Sequence, residues 1–591
     1  MSVESLITQH IDIWTSAVQT KSTSGRGTSS KLDLYGIKKL RELILELAVR
    51  GKLVSQDPND EPASVLLERI AKEKAKLVKD KKIKKAKNIP DVAEEDIPFK
   101  LPAGWSWGRV NELSKQVTDG VHHTPKYIDE GVPFISVKDL DGKTVSFDDC
   151  KYISHEQHTE INQRCNPELG DILLCRIGTL GRATVVDTSE PFSLFVSVGL
   201  LKFFNEYLIS KYLHIVFHSP VLLKQYDEIK AGGSHTNKLN LGDIPKLLFP
   251  VAPLNEQHRI VAKVDELMKL CDQLEQQTEA SIAAHQVLVE TLLATLINSA
   301  DAEELMENWK RISAHFDTLF TTEESIDQLK QTILQLAVMG KLVPQNPADE
   351  PASELLKRIA KEKAQLVKEG KIRKQKALPP ITDDEKPFEL PNGWEWSKFE
   401  HIAKNQVNAL KAGPFGSALK KSMYVESGYK IYGQEQVISG DENFGNYFVD
   451  KEKYLSLESC KVQAGDILIS LVGTIGKVLI LSENALEGII NPRLVKISLF
   501  DEVCRPYIRI VLGSRLIQDE LFENSHGSTM NVLNLGLLKK IVLPLPPVSE
   551  QWKIVNKVNE LTLLCEKLKQ RLRDSQQTQL QLTDAIIDQA I

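Results

Sequence analysis

Residues 44–107 of this chain return, without a gap, at residues 333–396, and about 40 of the roughly 64 aligned positions are identical. The run GKLV at 51–54 recurs at 340–343, RIAKEKA at 69–75 recurs at 358–364, and Trp105 and Trp107 of GWxW recur as Trp394 and Trp396. A second match, NLG…P…EQ at 240–257, returns at 534–551. The chain is therefore two copies of one long unit, and it must adopt an architecture that can be built twice. The copies differ mainly in one stretch each, and that contrast carries the functional reading.

A length of 591 residues predicts about four domains, each able to bury its own core. The 42% hydrophobic and 26% charged content is that of a soluble globular protein. No run of about 18 apolar residues stands out, which predicts no contact with a membrane. Residues 1–19 lack the apolar centre of a signal peptide, so the expected location is the cytoplasm. The seven cysteines (Cys150, Cys165, Cys175, Cys271, Cys460, Cys504 and Cys565) are scattered without a C-x-x-C, which predicts reduced structural thiols and no zinc ribbon. Cys271 and Cys565 hold equivalent places on an apolar helical stripe and read as small core residues. The net charge of −6 argues against a uniformly basic nucleic-acid binder. Residues 72–87 nevertheless hold nine lysines against two acids, repeated more mildly at 361–376. That run reads either as a solvated helix face with i,i+4 pairs or as an arm that tracks phosphates.

Residues 1–20 form a short amphipathic stretch, and 21–31, rich in Ser, Thr and Gly, read as a flexible linker. Each copy then runs through the same elements. A helix over 34–50 or 326–339 is stopped by Gly51 or Gly340. A turn at Pro58 or Pro347 leads to a second helix, with Pro62 or Pro351 near its first turn, that continues into the lysines. After a proline-marked linker, LPxGWxW at 101–107 or 390–396 opens a region of short apolar runs bounded by turns. These runs lie at 131–142, 170–181 and 194–203, and at 428–437, 465–476 and 489–497. An apolar helix follows, near 208–231 or 505–524. Each copy ends in a long helix, 255–299 or 549–591. Its apolar positions Ile260, Val264, Leu267, Cys271 and Leu274, or Ile554, Val558, Leu561, Cys565 and Leu568, step by 4 and 3 as an a/d seam. Leu288 and Leu292, and Leu582 and Ile586, keep that phase. Each helix would be on the order of 60 Å long. The expected fold is α+β: two heads separated and joined by long antiparallel coiled-coil helices, with an internal pseudo-two-fold. The expected segments are a helical region at 1–100, a first head at 101–252, a helical spacer and second helical repeat at 253–389, a second head at 390–546, and a final spacer helix at 547–591.

The helices are nearly duplicated while the heads share only a skeleton. Residues 117–127 read VTDGVHHTPKY where 410–424 read LKAGPFGSALKKSMY. One scaffold with two divergent heads suggests two related ligands at a fixed separation, the plan of proteins that read spaced DNA half-sites. An architectural coiled-coil protein whose heads bind proteins could use the same plan. The motifs GDILLCRIGTLG, NLGDIPKLLFPVAPLNEQHRIV and LPNGWEW, with GDIL…GTxG in both heads ahead of a long helix, resemble the specificity subunits of type I restriction–modification systems, in the subclass with extended conserved repeats. The resemblance spans nearly the whole chain. It implies that each head reads one half of a bipartite double-stranded DNA target and that the helices set the unread gap. It also implies two methyltransferase subunits and two restriction subunits as partners. S-adenosylmethionine, ATP and Mg would then be bound by those partners, with no cofactor and no catalysis on this chain. The residues agree with that last point. No G-x-x-x-x-G-K-[ST], G-x-G-x-x-G or H-E-x-x-H is present, and the sequences at Asn166 and Asn491 lack the second proline and aromatic of an amino-methyltransferase motif.

Candidate contacts follow from polar chemistry in the divergent stretches. In the first head Asp119, Gly120, His122, His123, Thr124 and Lys126 form a polar loop, readable as base-edge and phosphate contacts or as an ordinary turn. The His pair lacks a third ligand at metal spacing, so no metal is expected. Lys138 and Arg176 add donors in the same head. In the second head Lys411, Gly413, Phe415, Ser417, Lys420 and Lys421 form the matching loop. Tyr432, Gln434 and Gln436 alternate on a strand-like run and would share a face; Gln suits bidentate adenine contact. Arg493 is private to this head. The loops with Ser234, His235, Thr236 and Asn237, and with Ser528, Thr529 and Asn531, precede the long helices and read as DNA contacts or turn chemistry. The GTxG turns and the GWxW tryptophans recur in both copies, which favours a tight turn and a core anchor respectively.

Overall fold

Gly51 and Gly340 take φ of +66 and +71 and close the helices Tyr35–Val49 and Glu323–Val338. The amides of Lys52 and Lys341 return to the carbonyls of Leu47 and Leu336 at 2.9 and 3.0 Å, as a left-handed C-terminal glycine allows. A Cβ at either glycine would run into the ring of Pro102 or Pro391, so the close approach needs glycine as much as the backbone angle does. The lysine-rich helices Ala63–Lys79 and Ala352–Lys368 begin at Pro62 and Pro351, which stand one residue ahead of them as N-caps.

The computed structural model describes residues 3–21, 31–85, 89–90, 92–232, 237–300, 302–372, 378–415, 417–471, 476–523 and 535–591. Most of the expected linker over 21–31 lies outside these, although its flanks Gln19–Lys21 and Lys31–Asp33 pair as antiparallel strands. The chain divides into two units, Met1–Ser281 with Ser575–Ile591, and Ile282–Asp574.

In each unit the head is an insert whose two ends meet. Ser106–Arg109 pairs with Leu248–Val251 in the first, and Glu395–Lys398 pairs with Val542–Leu545 in the second. Inside the first head, a four-stranded antiparallel sheet runs in the order Ser114–Asp119, Val198–Phe203, Ile172–Cys175, Ala183–Val185. The second head repeats it as Leu410–Ala412, Leu494–Ile497, Ile467–Ser470, Val478–Ile480. A second, mixed sheet carries one parallel pair in each head, Val132–Ile135 with Ser193–Leu194 and Tyr429–Tyr432 with Gly488–Ile490. The expected single helix after the sheets is broken in two. Ser210–His218 and Pro220–Ile229 meet at Ser219, because a residue before proline is barred from the helical region. The second head breaks at Ser514 between Arg505–Gly513 and Arg515–Glu523 without a proline; there and at Ser219 the hydroxyl bonds the carbonyl three residues back.

The GWxW and PxxEQ motifs prove to be two halves of one clasp. Trp105 Nε1 donates to Glu256 at 3.0 Å and Trp394 Nε1 donates to Glu550 at 3.1 Å. Gln257 accepts from the Ile209 amide and donates to the Ala252 carbonyl, and Gln551 repeats this with Cys504 and Pro546. The core-anchor reading of the first tryptophan of each pair therefore holds.

The long helices are Leu254–Asn298 and Val548–Ala590. Their seams differ from the expected heptad. Ile260 to Leu274 bury in the first unit beside Ile37, Leu40, Ile44 and Leu47 of Tyr35–Val49, and Ile554 to Leu568 bury in the second beside Ile326, Leu329, Ile333 and Leu336. Further along, Leu288 and Leu582 are 48% and 43% exposed and Val289, Leu293 and Leu296 are buried, whereas Leu292 packs against the core and Ile586 is buried, as the seam expects. A heptad phase drifts off a straight 3.6-residue helix by about 20° in each seven residues, which moves Leu288 and Leu582 away from the buried face. By length and composition Leu254–Asn298 includes a window apolar enough to cross a membrane, which the sequence reading missed. Three apolar positions near its end, Val289, Leu293 and Leu296, instead fill the second unit's core. The helix ends are gripped alike: Lys341 donates to the carbonyls of Ile297 and Ser299 at 2.8 Å, and Lys52 donates to Ile591 at the chain's last residue.

Candidate nucleic-acid interface

The first head's loop starts from a buried carboxylate. Asp119, at the end of its strand and 1% exposed, accepts from Arg176, from Arg164 at 3.2 Å and from the His122 ring at 3.2 Å. Arg176 also donates to the carbonyls of Leu239 at 3.1 Å and Val196 at 3.2 Å. One guanidinium thus joins the start of the loop, the turn ahead of the strand Val198–Phe203 and the segment after the ladder of Ala231–Gly232 with Asn237–Lys238. The interior places Asp119 and Arg176 as positioning residues, away from solvent. Beyond them His122, His123, Thr124 and Lys126 are exposed, as is Asn237. Lys138 is half-exposed and donates to the Asp149 carbonyl at 2.7 Å. Ser234, His235 and Thr236 lie outside the described residues. Arg164, which the sequence reading missed, donates to the carbonyls of Asp119 and Gly120 at 2.9 and 2.7 Å and brackets the loop. A lone arginine between strand-like runs gives no sequence signal for this.

The second head uses the same seat with different side chains. Gly120 and Gly413 occupy matching places, each lying under a backbone carbonyl, of Leu194 and Asn491 respectively, that a Cβ would strike. Both glycines therefore serve close packing of the chain. Past Gly413, Phe415 is 92% exposed, and Ser417, Lys420 and Lys421 are exposed. Lys411 is half-buried on the strand. Tyr432, Gln434 and Gln436 do not share a strand face. The strand ends at Tyr432, and Gln434–Ser439 is a helix. Tyr432 is buried with its hydroxyl on the Leu486 carbonyl at 2.8 Å. Gln436 is buried as a cap, accepting from the Gly433 amide at 2.8 Å and donating to the Phe444 carbonyl at 2.6 Å. The alternation in the sequence was real, but Gly433 and the capping glutamine turned the chain into a helix. Gln434 remains near the surface, donating to Ser470 at 3.0 Å and accepting from the exposed Arg493 at 3.3 Å. Ser528, Thr529 and Asn531 lie outside the described residues.

Matching ladder positions expose how the heads diverge. The amides of Arg176 and Leu471 bond the carbonyls of Ser197 and Arg493, so each head has one arginine at this edge, on opposite strands. In the first head it is buried against Asp119; in the second it is exposed. The shared GDIL motif is structural. Asp171 accepts from the Glu168 amide at 2.8 Å and pairs with buried Lys202 at 2.6 Å, and Asp466 accepts from the Gln463 amide at 2.9 Å and from Ser498 at 2.5 Å. Burial pushes both carboxyls above the usual carboxylate range. Gly178 and Gly181 form the tight turn expected of GTxG in the first head, with φ of +81 and +76. Residues 472–475 of its counterpart lie outside the described residues. Among the described residues no group of three His, Cys, Asp or Glu side chains could hold a metal.

Residues 108–284 and 414–575 match the family described as Type I restriction modification DNA specificity domain. The chain belongs to this family. It is 43% identical to the type I restriction enzyme EcoAI specificity subunit of Escherichia coli over 611 aligned residues, covering 100% of each chain. It is 41% identical to the EcoEI specificity subunit of the same organism over 610 residues, again covering 100% of each. A crystal structure of the HsdS subunit from Thermoanaerobacter tengcongensis aligns at 18% identity and a TM-score of 0.39, covering 83% of this chain and 98% of that one. This is a DNA-recognition subunit of a type I restriction–modification system. Each matched block of the specificity family holds most of one head and the first part of one long helix, the second block starting past the strand Leu410–Ala412. The lysine-rich helices Ala63–Lys79 and Ala352–Lys368 lie outside both blocks.

Proposed function

We propose that each head reads one half of a bipartite, asymmetric DNA target and that the long helices set the number of unread base pairs between the halves. The observation that carries this reading is the pairing of one repeated clasp with two unlike surfaces. Trp105–Glu256 and Trp394–Glu550 hold their heads by the same bonds. The exposed loop chemistry is His122, His123, Thr124 and Lys126 in one head, and Phe415, Ser417, Lys420, Lys421 and Arg493 in the other. Lysines and Arg493 suit phosphates or guanine edges, and Gln434 suits adenine. A repeated mount with different tips reads two sequences in one protein.

The chain contributes recognition and assembly and no catalytic group. Its expected partners are two methyltransferase subunits and two restriction subunits, which would bring S-adenosylmethionine, ATP and Mg, in the cytoplasm. The relatives' names support membership of such a complex. Strand-resolved methylation sequencing of DNA from cells that express the chain with its methyltransferase subunit tests the reading. Adenine methylation at a single motif of two short halves with a fixed gap is the expected result. A contiguous motif, or none with the complex intact, would sink it and favour a scaffold whose heads bind proteins.

A further inference from the structure

Along the first lysine-rich helix a cleft of about 510 Å³ is lined by Arg69, Lys72, Lys76, Lys82 and Tyr207. The acids in its wall are Glu73 and Asp80. Arg69 is oriented by Glu61 at 2.6 Å and Lys72 lies 3.8 Å from Glu68, whereas Lys76 and Lys82 make no ion pair with the described residues. The helix does not swing freely here. Lys74 turns inward and donates to the carbonyls of Asn111 and Ser114, the latter at 2.7 Å, fixing the cleft against the short helix Val110–Leu113 and the start of the strand Ser114–Asp119.

The second copy of the unit is an internal comparison. The amides of Ile209 and Cys504 bond the matching glutamines Gln257 and Gln551, which aligns Tyr207 with Glu502. Glu502 closes on Arg358, the counterpart of Arg69, at 2.6 Å, and Arg358 is held from the other side by Glu350 at 2.8 Å. Gln365 stands where the first copy has Lys76, and Lys371, the counterpart of Lys82, pairs with Glu369 at 2.8 Å. Four cations against two acids in the first copy thus become three against three in the second. The helix ends differ in the same direction. Lys81 sits at φ +57, a strained angle for a side chain, where the second copy has Gly370 at φ +70. The first copy keeps a lysine where the backbone favours glycine.

We infer that the cleft of Arg69, Lys72, Lys76, Lys82 and Tyr207 is a phosphate-binding subsite that takes the DNA backbone, a contact that reads no sequence and that only the first of the two repeats retains. Lysine ammonium groups and a tyrosine hydroxyl are the donors that proteins place on backbone phosphates, and such contacts position the duplex without specifying bases. The inference rests on the DNA-recognition role of the chain and does not depend on how the heads divide the target.

The test uses the full chain with its methyltransferase subunits, bound to a duplex that carries its methylated motif. Affinity is read by fluorescence anisotropy between about 50 and 200 mM salt, because each neutralised phosphate adds about 0.9 to the slope of log K against log salt. Lys72→Ala/Lys76→Ala/Lys82→Ala should flatten that slope by about one unit or more and leave the methylated motif unchanged. Tyr207→Glu, which imports the acid of the second copy, should flatten it as well. Lys361→Ala in the second copy should leave it alone. An unchanged slope in both first-copy variants overturns the subsite, as does an equal loss from Lys361→Ala, which would make the effect one of general charge. Loss of the methyltransferase subunits from the triple variant at constant slope also overturns it, in favour of a protein-docking face. Failure of the wild-type complex to methylate any motif would instead strike the recognition role itself.

Discussion

At the scale of single residues, the heads differ by a buried charge pair that one contains and the other omits. The ladder registers align Asp119 with Ala412 and Arg176 with Leu471. Replacing Arg176 by leucine alone leaves a carboxylate that is 1% exposed with Arg164 and the His122 ring as its remaining hydrogen-bond partners. Removing one partner of a buried pair costs about 3 kcal/mol. Arg176→Leu should therefore lower the thermal midpoint, while Asp119→Ala/Arg176→Leu, which copies the second head, should recover most of the loss. Two variants melting alike would show that the pair carries no coupling. The clasp glutamates offer a titration. Burial pushes the Glu256 and Glu550 carboxyls above their ordinary range. A raised folded-state pKa gives stabilisation that is fully present below the unfolded value of about 4.3 and is lost as pH rises through the folded value. Glu256→Gln keeps an acceptor for Trp105, and Gln56 can turn its amide to face the new donor. The variant's melting temperature, measured against wild type, should climb as pH rises above about 4; a gap flat with pH would remove the glutamate from the pH dependence. The sequence made Trp105 and Trp394 legible as core because they recur at equal spacing. It could not show that Asp119 and Gln436 are buried, because a polar residue in a loop and a polar residue capping an interior helix look the same until the tertiary neighbours are known.

At the scale of elements, glycine stops and proline starts were legible because each acts through its own backbone. Gly51, Gly340, Pro62 and Pro351 all stand at helix ends. The long helices were legible in extent and in the phase of their first turns and at Ile586, and misread at Leu288 and Leu582. Leu288 extends the heptad of Ile260 to Leu274, yet Val289 is the buried neighbour, since a 3.6-residue helix lags the heptad by about 20° in each seven residues and the buried face moves toward 289. Hydrophobic identity cannot separate Leu288 from Val289; only the partner surface can. Leu293→Ala should cost about 2–5 kcal/mol by opening a cavity in the second unit's core. Leu288→Ala, at an exposed position, should stay within about 0.5 kcal/mol. Equal costs in denaturant unfolding would restore the heptad seam. The strand at Tyr429–Tyr432 marks the opposite limit. Its alternation was read past the point where Gly433 ends it, because period-two polarity does not announce where a strand gives way to a helix.

At the scale of the whole chain, the insertion of each head through a paired strand ladder makes recognition separable from assembly. The first head enters and leaves at Ser106–Arg109 and Leu248–Val251, and the second at Glu395–Lys398 and Val542–Leu545. The residues that hold each head, Trp105 with Glu256 and Trp394 with Glu550, lie outside the exchanged surfaces and make the same bonds. The cores beneath are built from the same segments of each copy, so a head moved to the other mount meets nearly the same neighbours. Replacing residues 108–249 by a second copy of 397–543 should therefore give a folded chain whose target carries the second head's half twice, with its gap unchanged. Methylation sequencing reads all three quantities at once. If that half appears twice but the gap shifts, the heads contribute to the spacing and the long helices alone do not set it. If that half is read only once, the first mount supplies part of the reading surface, and the cationic cleft on the first repeat is the asymmetry that such a result would implicate. If the target is unaltered, specificity resides in the repeated helices, and the contrast between His122–His123 and Phe415 plays no part in reading DNA.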